Sequence, residues 1–263
     1  MITLKSREEM ETLRRCGRIA ASLRDQLAQA AQPGVMTREL DAMAERLMRT
    51  AGVQPAFLGY RGYPAHICTS VNEEVVHGIP GARRLTPGDL LSIDLGIVHE
   101  GFVGDTAVSV PVGTVSPEVQ RLLDVTRECL EAGTKSMQPG RHVGDISAAI
   151  QAVAERAGFG VVRDYVGHGI GRAMHEEPQV PNYGTAGVGP RLEAGMVLCL
   201  EPMITMGAWQ VRVLPDQWTV VTVDGRWACH LEEMVAITPH GPEVLTQTDA
   251  VGRVGAGLAP ARR

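Results

Sequence analysis

Asp94 and Asp105 lie on either side of His99-Glu100-Gly101, a turn signal, so a hairpin folding there sets the two carboxylates roughly opposite one another. Like charges held a few ångströms apart do not both ionise without a counter-charge, so either the strands are solvated at that point or a cation lies between them. Glu201 adds a third carboxylate: the run L-E-A-G-M-V-L-C-L-E at 192–201 aligns with L-T-P-G-D-L-L-S-I-D at 85–94, an acid closing each. A fourth comes from Glu232 or Glu233, in an otherwise apolar run that continues to Ile237, and Gly167-His168-Gly169 supplies an imidazole held between glycines. Hard oxygen donors with one nitrogen suit Mn²⁺, Fe²⁺, Co²⁺ or Zn²⁺, and the lack of thiolates in the set speaks against a purely structural zinc. Four carboxylates balance two divalent ions better than one. The plainer alternative is a set of solvated surface acids.

The elements that must position these residues are legible. Apolar residues recur at three- and four-residue intervals from Ser6 to Ala31 (Met10, Leu13, Ile19, Leu23, Leu27), which predicts an amphipathic helix stopped by Pro33-Gly34. A second helix is expected from Thr37, read as its N-cap, to Gly52. Gln32-Pro33-Gly34 and Ala51-Gly52 recur as Gln138-Pro139-Gly140 and Ala157-Gly158 at a constant offset of 106, and the two acid-closing runs recur at 107. One unit therefore occurs twice. A period this long is no solenoid and predicts an α+β fold of two pseudo-symmetric halves, with helices covering one face of the sheet and the other face free for a site. Leu91, Ile93, Leu95 and Ile97 alternate with Ser92, Asp94 and Gly96, as one strand of the first hairpin requires. A second hairpin is expected about Asp224-Gly225, joining Trp218 to Val223 with Arg226 to Ile237. The domain reading is a single unit over 1–247, with halves of about 1–115 and 116–247, and a small-residue tail at 248–263 read as disordered.

Composition bounds the class. The 263 residues are 44% hydrophobic with a net charge of −5, enough apolar material for a sizeable core and no basic stripe for nucleic acid. No apolar run approaches the roughly 18–20 residues of a membrane span, and the charged N-terminus is unlike a secretory signal, so the cytoplasm is the expected compartment. Five scattered cysteines without a C-x-x-C pair predict neither disulfides nor a thiolate site. Aromatics are scarce, yet Phe57, Tyr60 and Tyr63 fall within seven residues.

Five ordered strings, N-E-E-V-V-H-G-I-P (72–80), S-I-D-L-G (92–96), G-D-T (104–106), G-H-G-I-G-R-A-M-H-E-E-P (167–178) and E-P-M (201–203), resemble the type I methionine aminopeptidases. The similarity runs over about residues 1–245. It implies the duplicated pita-bread (creatinase/aminopeptidase) α/β fold and a two-metal exopeptidase that removes the initiator methionine, with small second residues preferred. By position, Asp94, Asp105, His168, Glu201 and Glu232 match the metal ligands, with Asp105 and Glu232 bridging both ions. His77 and His175 match the histidines flanking the scissile bond, and Glu201 the proton shuttle. Tyr60, Tyr63, Cys68 and Trp218 match the methionine pocket, with Phe57 and Met174 at its variable positions. The implied mechanism is attack on the methionyl carbonyl by a hydroxide bridging two divalent ions (Co, Mn, Fe or Zn). The implied partners are N-terminal methionyl peptides or nascent chains, met during transient ribosome association by a monomer.

The chain departs from the family's pattern in places. His230-Leu231-Glu232-Glu233 stands where Q-[YF]-E-H is usual, Ser92 where Asn is common and Gly96 where Thr is common. Alternation lets only one of Glu232 and Glu233 face the metals, and spacing selects Glu232, leaving Glu233 as an extra carboxylate expected near the rim. His66, His99, His142, His230 and His240 are read as loop or surface residues. The competing readings are a relative cutting Xaa-Pro bonds, which usually carries an extra N-terminal domain, and a non-catalytic protein- or RNA-binding member of the same fold.

Overall fold

The computed structural model describes residues 2–248, so the tail expected at 248–263 lies outside the described residues apart from Thr248, whose hydroxyl donates to the Asp25 carboxylate. Helix α1 (Arg7–Ala30) opens on Ser6: its hydroxyl accepts from the Glu9 N–H while the Glu9 carboxylate accepts from the Ser6 N–H, pairing two donors that a helix start leaves free. Helix α2 (Thr37–Ala51) is capped at Met36, so Thr37 is its first helical residue and not the cap. The Glu39 carboxylate takes the Met36 N–H at 2.7 Å, and the helix ends on Gly52 at φ 68°. Helices α3 (Pro117–Ser136) and α4 (Val143–Arg156) repeat the pair in the second half.

The duplication is present bond for bond where each half turns from helix to strand. The Gly34 N–H donates to Leu85 O and the Gly140 N–H to Leu192 O, both at 2.8 Å. In return Leu85 N–H reaches Val35 O and Leu192 N–H reaches Arg141 O. Gly34 and Gly140 hold φ of 93° and 89°, a left-handed backbone that side chains disfavour.

Strand Leu90–His99 pairs antiparallel with Phe102–Pro111 through a turn in which Glu100 and Gly101 both have positive φ. That turn lies later in the chain than the expected one. Asp105 therefore faces Gly96, and Asp94 faces Ala107. The shift is two residues, so both acids keep the same face of the sheet. In the second half, strands run in the order Gly241–Val244, Glu233–Thr238, Val197–Leu200, Gly167–Gly169, Glu176–Val180.

The hairpin expected about Asp224-Gly225 does not form. Val220–Thr222 pairs with Val211–Val213 and Glu74–Val76, whereas Ala228–His230 pairs with Met203–Thr205. The turn is real, with Gly225 at φ 72° and the Asp224 carboxylate accepting from the Ala208 and Arg226 N–H groups, but the strands leaving it pair with other strands and not with each other. The run 226–237 also breaks at Leu231. Glu232 instead makes a two-way backbone bridge with Ala107, at 3.3 and 3.0 Å, which joins the two halves.

Leu91, Ile93, Leu95 and Ile97 pack beneath α1 and α2 with Leu13, Leu27 and Leu40, all buried. Leu198, Leu200, Val235 and Ile237 pack with Leu122, Leu123, Ile146 and Ile150 of α3 and α4. Each such side chain contributes roughly 1.5–3 kcal/mol by leaving water. Helix α1 approaches the sheet closely because Gly17 and Gly104 carry no side chain: a β-carbon on Gly104 would lie 2.8 Å from Cys16 O. The helices thus occupy one face of the sheet, and the acids point from the other.

Candidate metal centre

All thirteen residues matched to ligands, flanking histidines or the methionine pocket line one cavity of about 370 Å³ on the face away from the helices. The seam between the halves supplies its floor. Asp105 comes from Phe102–Pro111 and Glu232 from the segment bridged to it, and the Thr106 hydroxyl donates to Glu232 O at 2.9 Å. Asp94 arrives from the neighbouring strand, Glu201 directly follows Val197–Leu200, and His168 sits at the centre of Gly167–Gly169. The glycines flanking His168 are required by crowding: a β-carbon on Gly167 would meet Cys199 O, and one on Gly169 would meet Glu177 O, each at 2.3 Å.

The electrostatics of this floor are unfavourable for protein alone. Burial raises the carboxyl pKa of Asp94, Glu201 and Glu232 well above the usual range, with the neighbouring carboxylates adding to it, and burial pushes Asp105 up to about 7. No lysine or arginine among the described residues makes a salt bridge to any of the four; Glu201 has only His168, with Nε2 3.5 Å from Oε1, and His230 at 4.0 Å. Asp94 Oδ1, Asp105 Oδ1 and Glu232 Oε1 are buried without a hydrogen-bond partner. His168 Nδ1 lies 3.0 Å from Gly169 O; a carbonyl only accepts, so Nδ1 carries the proton and Nε2 is left with its lone pair.

The walls are of a different character. Tyr63 meets Trp218 edge-on with ring centroids 5.0 Å apart and Phe57 at 6.5 Å, and its hydroxyl is tied back to Ile67 O and Gly78 O. Cys68 is buried beside them, its thiol pKa raised by burial. His77 has a left-handed backbone, φ 61°, and the next residue must be glycine, since a β-carbon on Gly78 would stand 2.2 Å from Thr69 O. Burial lowers the His77 pKa to about 4, so its ring is neutral at pH 7. His175 lies at the mouth, stacked on Tyr60 at 5.6 Å with Nδ1 2.9 Å from the tyrosine hydroxyl. The ring of His175 also stands 4.3 Å from that of His168.

A model of metallopeptidase family M24 matches residues 11–239. The chain belongs to that family. Methionine aminopeptidase 1 of Bacillus subtilis is 47% identical over 247 residues, covering 94% of this chain and 100% of the relative. The crystal structure of methionine aminopeptidase from Thermotoga maritima superposes with a TM-score of 0.93 at 43% identity, covering 94% of this chain and 100% of that one. The prolidase of Pyrococcus horikoshii shares the fold at a TM-score of 0.75 and 22% identity, but this chain spans only 64% of it. The pita-bread architecture and membership of the methionine aminopeptidase group both follow from these matches.

A metallopeptidase of this family uses divalent metal, and the donors present fit one. Three buried carboxylate oxygens lack a partner, and the ligand atoms of Asp105, His168, Glu232 and Cys199 all lie within 4.8 Å of one another. Cys199 was missed in the sequence, where cysteines promised no thiol near a metal. Its place two residues before Glu201 on one strand was the available signal. Burial raises its pKa well above the usual value, so it stands among the donors as a thiol.

Three other residues take unexpected places. Glu233 is not at the rim: its carboxylate turns to the helix side, where Arg24 of α1 lies 3.4 Å away and the Thr246 hydroxyl donates to it. His230, read as a loop or surface residue, is 1% exposed on strand Ala228–His230. Lys5, one of two lysines, pairs with Glu176, whose carboxylate also accepts from the Arg172 and Ala173 N–H groups and so fixes the loop that presents His175.

Proposed function

We infer that the protein removes the N-terminal methionine from peptides and nascent chains as a metal-dependent aminopeptidase. The observation that carries this reading is the pairing, in one cavity, of a floor of partnerless buried carboxylates with an apolar aromatic wall of Phe57, Tyr63 and Trp218. Asp94, Asp105, His168, Glu201 and Glu232 would hold two divalent ions, drawn from Co, Mn, Fe or Zn. When bound, they supply Lewis acidity and an activated water. Glu201 would carry a proton toward the leaving amine. His175 donates to the scissile carbonyl oxygen, and neutral His77 contacts the other side of the bond. The methionine thioether lies against Tyr63, Trp218, Phe57 and Cys68, with Tyr60 at the entrance, where sulfur–aromatic contacts are favourable. A tight neighbouring subsite admits small second residues.

The two halves, about 1–115 and 116–247, form one catalytic unit acting as a monomer in the cytoplasm, where nascent chains are met with transient ribosome association. No helix among the described residues is long and apolar enough to cross a membrane. The test is incubation with Met-Ala-Ser and Met-Lys-Ser under Mn²⁺ or Co²⁺, then with chelator. Methionine should be released from the first peptide only, and only with metal. Absence of release under every metal would end the aminopeptidase reading.

A further inference from the structure

His230 is buried, and neither ring nitrogen has a hydrogen-bond partner. A neutral imidazole always carries one N–H to donate, and burying a donor unpaired is costly, so such a ring calls for an explanation. The acceptor within reach is Glu201: His230 Nε2 lies 4.0 Å from Oε2, while the other oxygen, Oε1, faces His168 Nε2 at 3.5 Å. Glu201 thus stands between two imidazoles, one on each oxygen. His230 does not line the cavity, whereas Asp94, Asp105, His168, Glu201 and Glu232 all do. Its place is behind the carboxylate.

The backbone of His230 is fixed with unusual care. Ser109 Oγ donates to His230 O at 2.7 Å and accepts its N–H at 3.1 Å, and Met203 pairs with it across the strands. Ser109 Oγ is in turn 2.7 Å from Ser92 Oγ, on the strand that carries Asp94 two residues later. Ser92 and His230, two separate departures from the family pattern, are therefore ends of one chain of contacts running from the first half to Glu201. The repeat adds a reason for the location. Met203 follows Gly96 at the 107-residue offset, and His230 faces Met203 as Asp105 faces Gly96. The second half thus places an imidazole where the first places a ligand.

We propose that His230 is a positioning residue that donates its Nε2–H to Glu201 Oε2 and so turns Oε1 toward His168 and the metal ions. A gap of 4.0 Å closes with a small rotation of the glutamate, and hydrogen bonds in an unloaded site commonly tighten on loading. The inference rests on Glu201 being a metal ligand, as proposed above.

The test compares wild type with His230→Gln, which keeps an N–H donor at similar reach, and His230→Leu, which keeps the bulk without the donor. Calorimetric titration of the metal-free proteins with Mn²⁺ and Co²⁺, the visible spectrum of the Co²⁺ form and thermal melting are the readouts. His230→Leu should bind metal roughly 10–100-fold more weakly, the range for losing a partner of a ligand, with an altered Co²⁺ spectrum, and His230→Gln should recover most of the affinity. Wild-type affinity and spectrum in His230→Leu, or a Gln variant no better than Leu, would overturn the proposal. If melting shows that His230→Leu does not fold, His230→Asn replaces it: its amide is one methylene short, and affinity equal to the Gln variant would again overturn the idea. A wild type that binds neither ion would remove the metallopeptidase reading as well, which separates the two failures.

Discussion

A β-carbon added to Gly96 would lie 2.6 Å from Cε1 of Phe57. The ring of Phe57 fills the space that a side chain at position 96 would take, so the absence of the family's common threonine and the presence of an aromatic at 57 are one packing solution. Phe57 is 8% exposed and lines the cavity beside Tyr63. Gly96→Thr should therefore drive the ring into the methionine pocket. Overpacking of this kind costs about 1–3 kcal/mol, and the KM for Met-Ala-Ser should rise more than kcat falls. The double variant Gly96→Thr with Phe57→Ala should recover KM. Unchanged kinetics and melting in the single variant would show that the two positions are independent.

Glu232 and Glu233 are adjacent but face opposite sides of the sheet, and their substitutions should separate cleanly. Glu232→Ala should abolish stoichiometric metal, read by elemental analysis. Glu233→Ala should keep its metal and lose stability, because Arg24 is 3% exposed and would be left with Asp25 and the Thr106 hydroxyl as partners. Removing one member of a buried pair typically costs about 3–5 kcal/mol; with Asp25 remaining, a loss on the order of 2–3 kcal/mol in chemical denaturation is expected. Metal lost on substituting Glu233 would reverse the ligand assignment.

The pH response of His77 has a definite sign. Its pKa is about 4 in the folded protein against 6.5 for the free side chain, because burial disfavours the charged ring and His175 adds to this. Above pH 6.5 both states are neutral and His77 contributes nothing. As pH falls from 6.5 to 4, the unfolded chain takes up a proton that the folded chain refuses, so stability is lost. His77→Asn removes this effect. Measured as denaturation free energy at pH 7 and pH 5, wild type should lose more stability than the variant, by on the order of 2 kcal/mol at most. Equal losses would mean that the ring is solvated in the folded state.

Local rules carried the sequence reading a long way. The 106- and 107-residue offsets became matching hydrogen bonds at Gly34 and Gly140, because a left-handed turn after a helix is a demand of the backbone itself. Strand alternation put Asp94 on the face opposite Leu91 to Ile97, and a period of two survives even a register error of two residues. The first hairpin differs from the expected register by those two residues, since the choice between neighbouring turn centres depends on which pairs pack. The Asp224-Gly225 turn shows the same limit: a turn is encoded locally, but the pairing of the strands that leave it is settled by segments outside the turn.

What the sequence by itself determined is the duplicated fold and the acids and imidazole proposed to hold a cation, because residue type, period and cap chemistry are properties of short segments. What only the tertiary structure decided is where neighbours from distant segments meet. Arg24 reaches Glu233 from α1, Phe57 occupies the space over Gly96, and His230 is buried behind Glu201. Each depends on contacts between residues 29 to 209 positions apart, and no local pattern records which side chain will fill a space that another leaves empty.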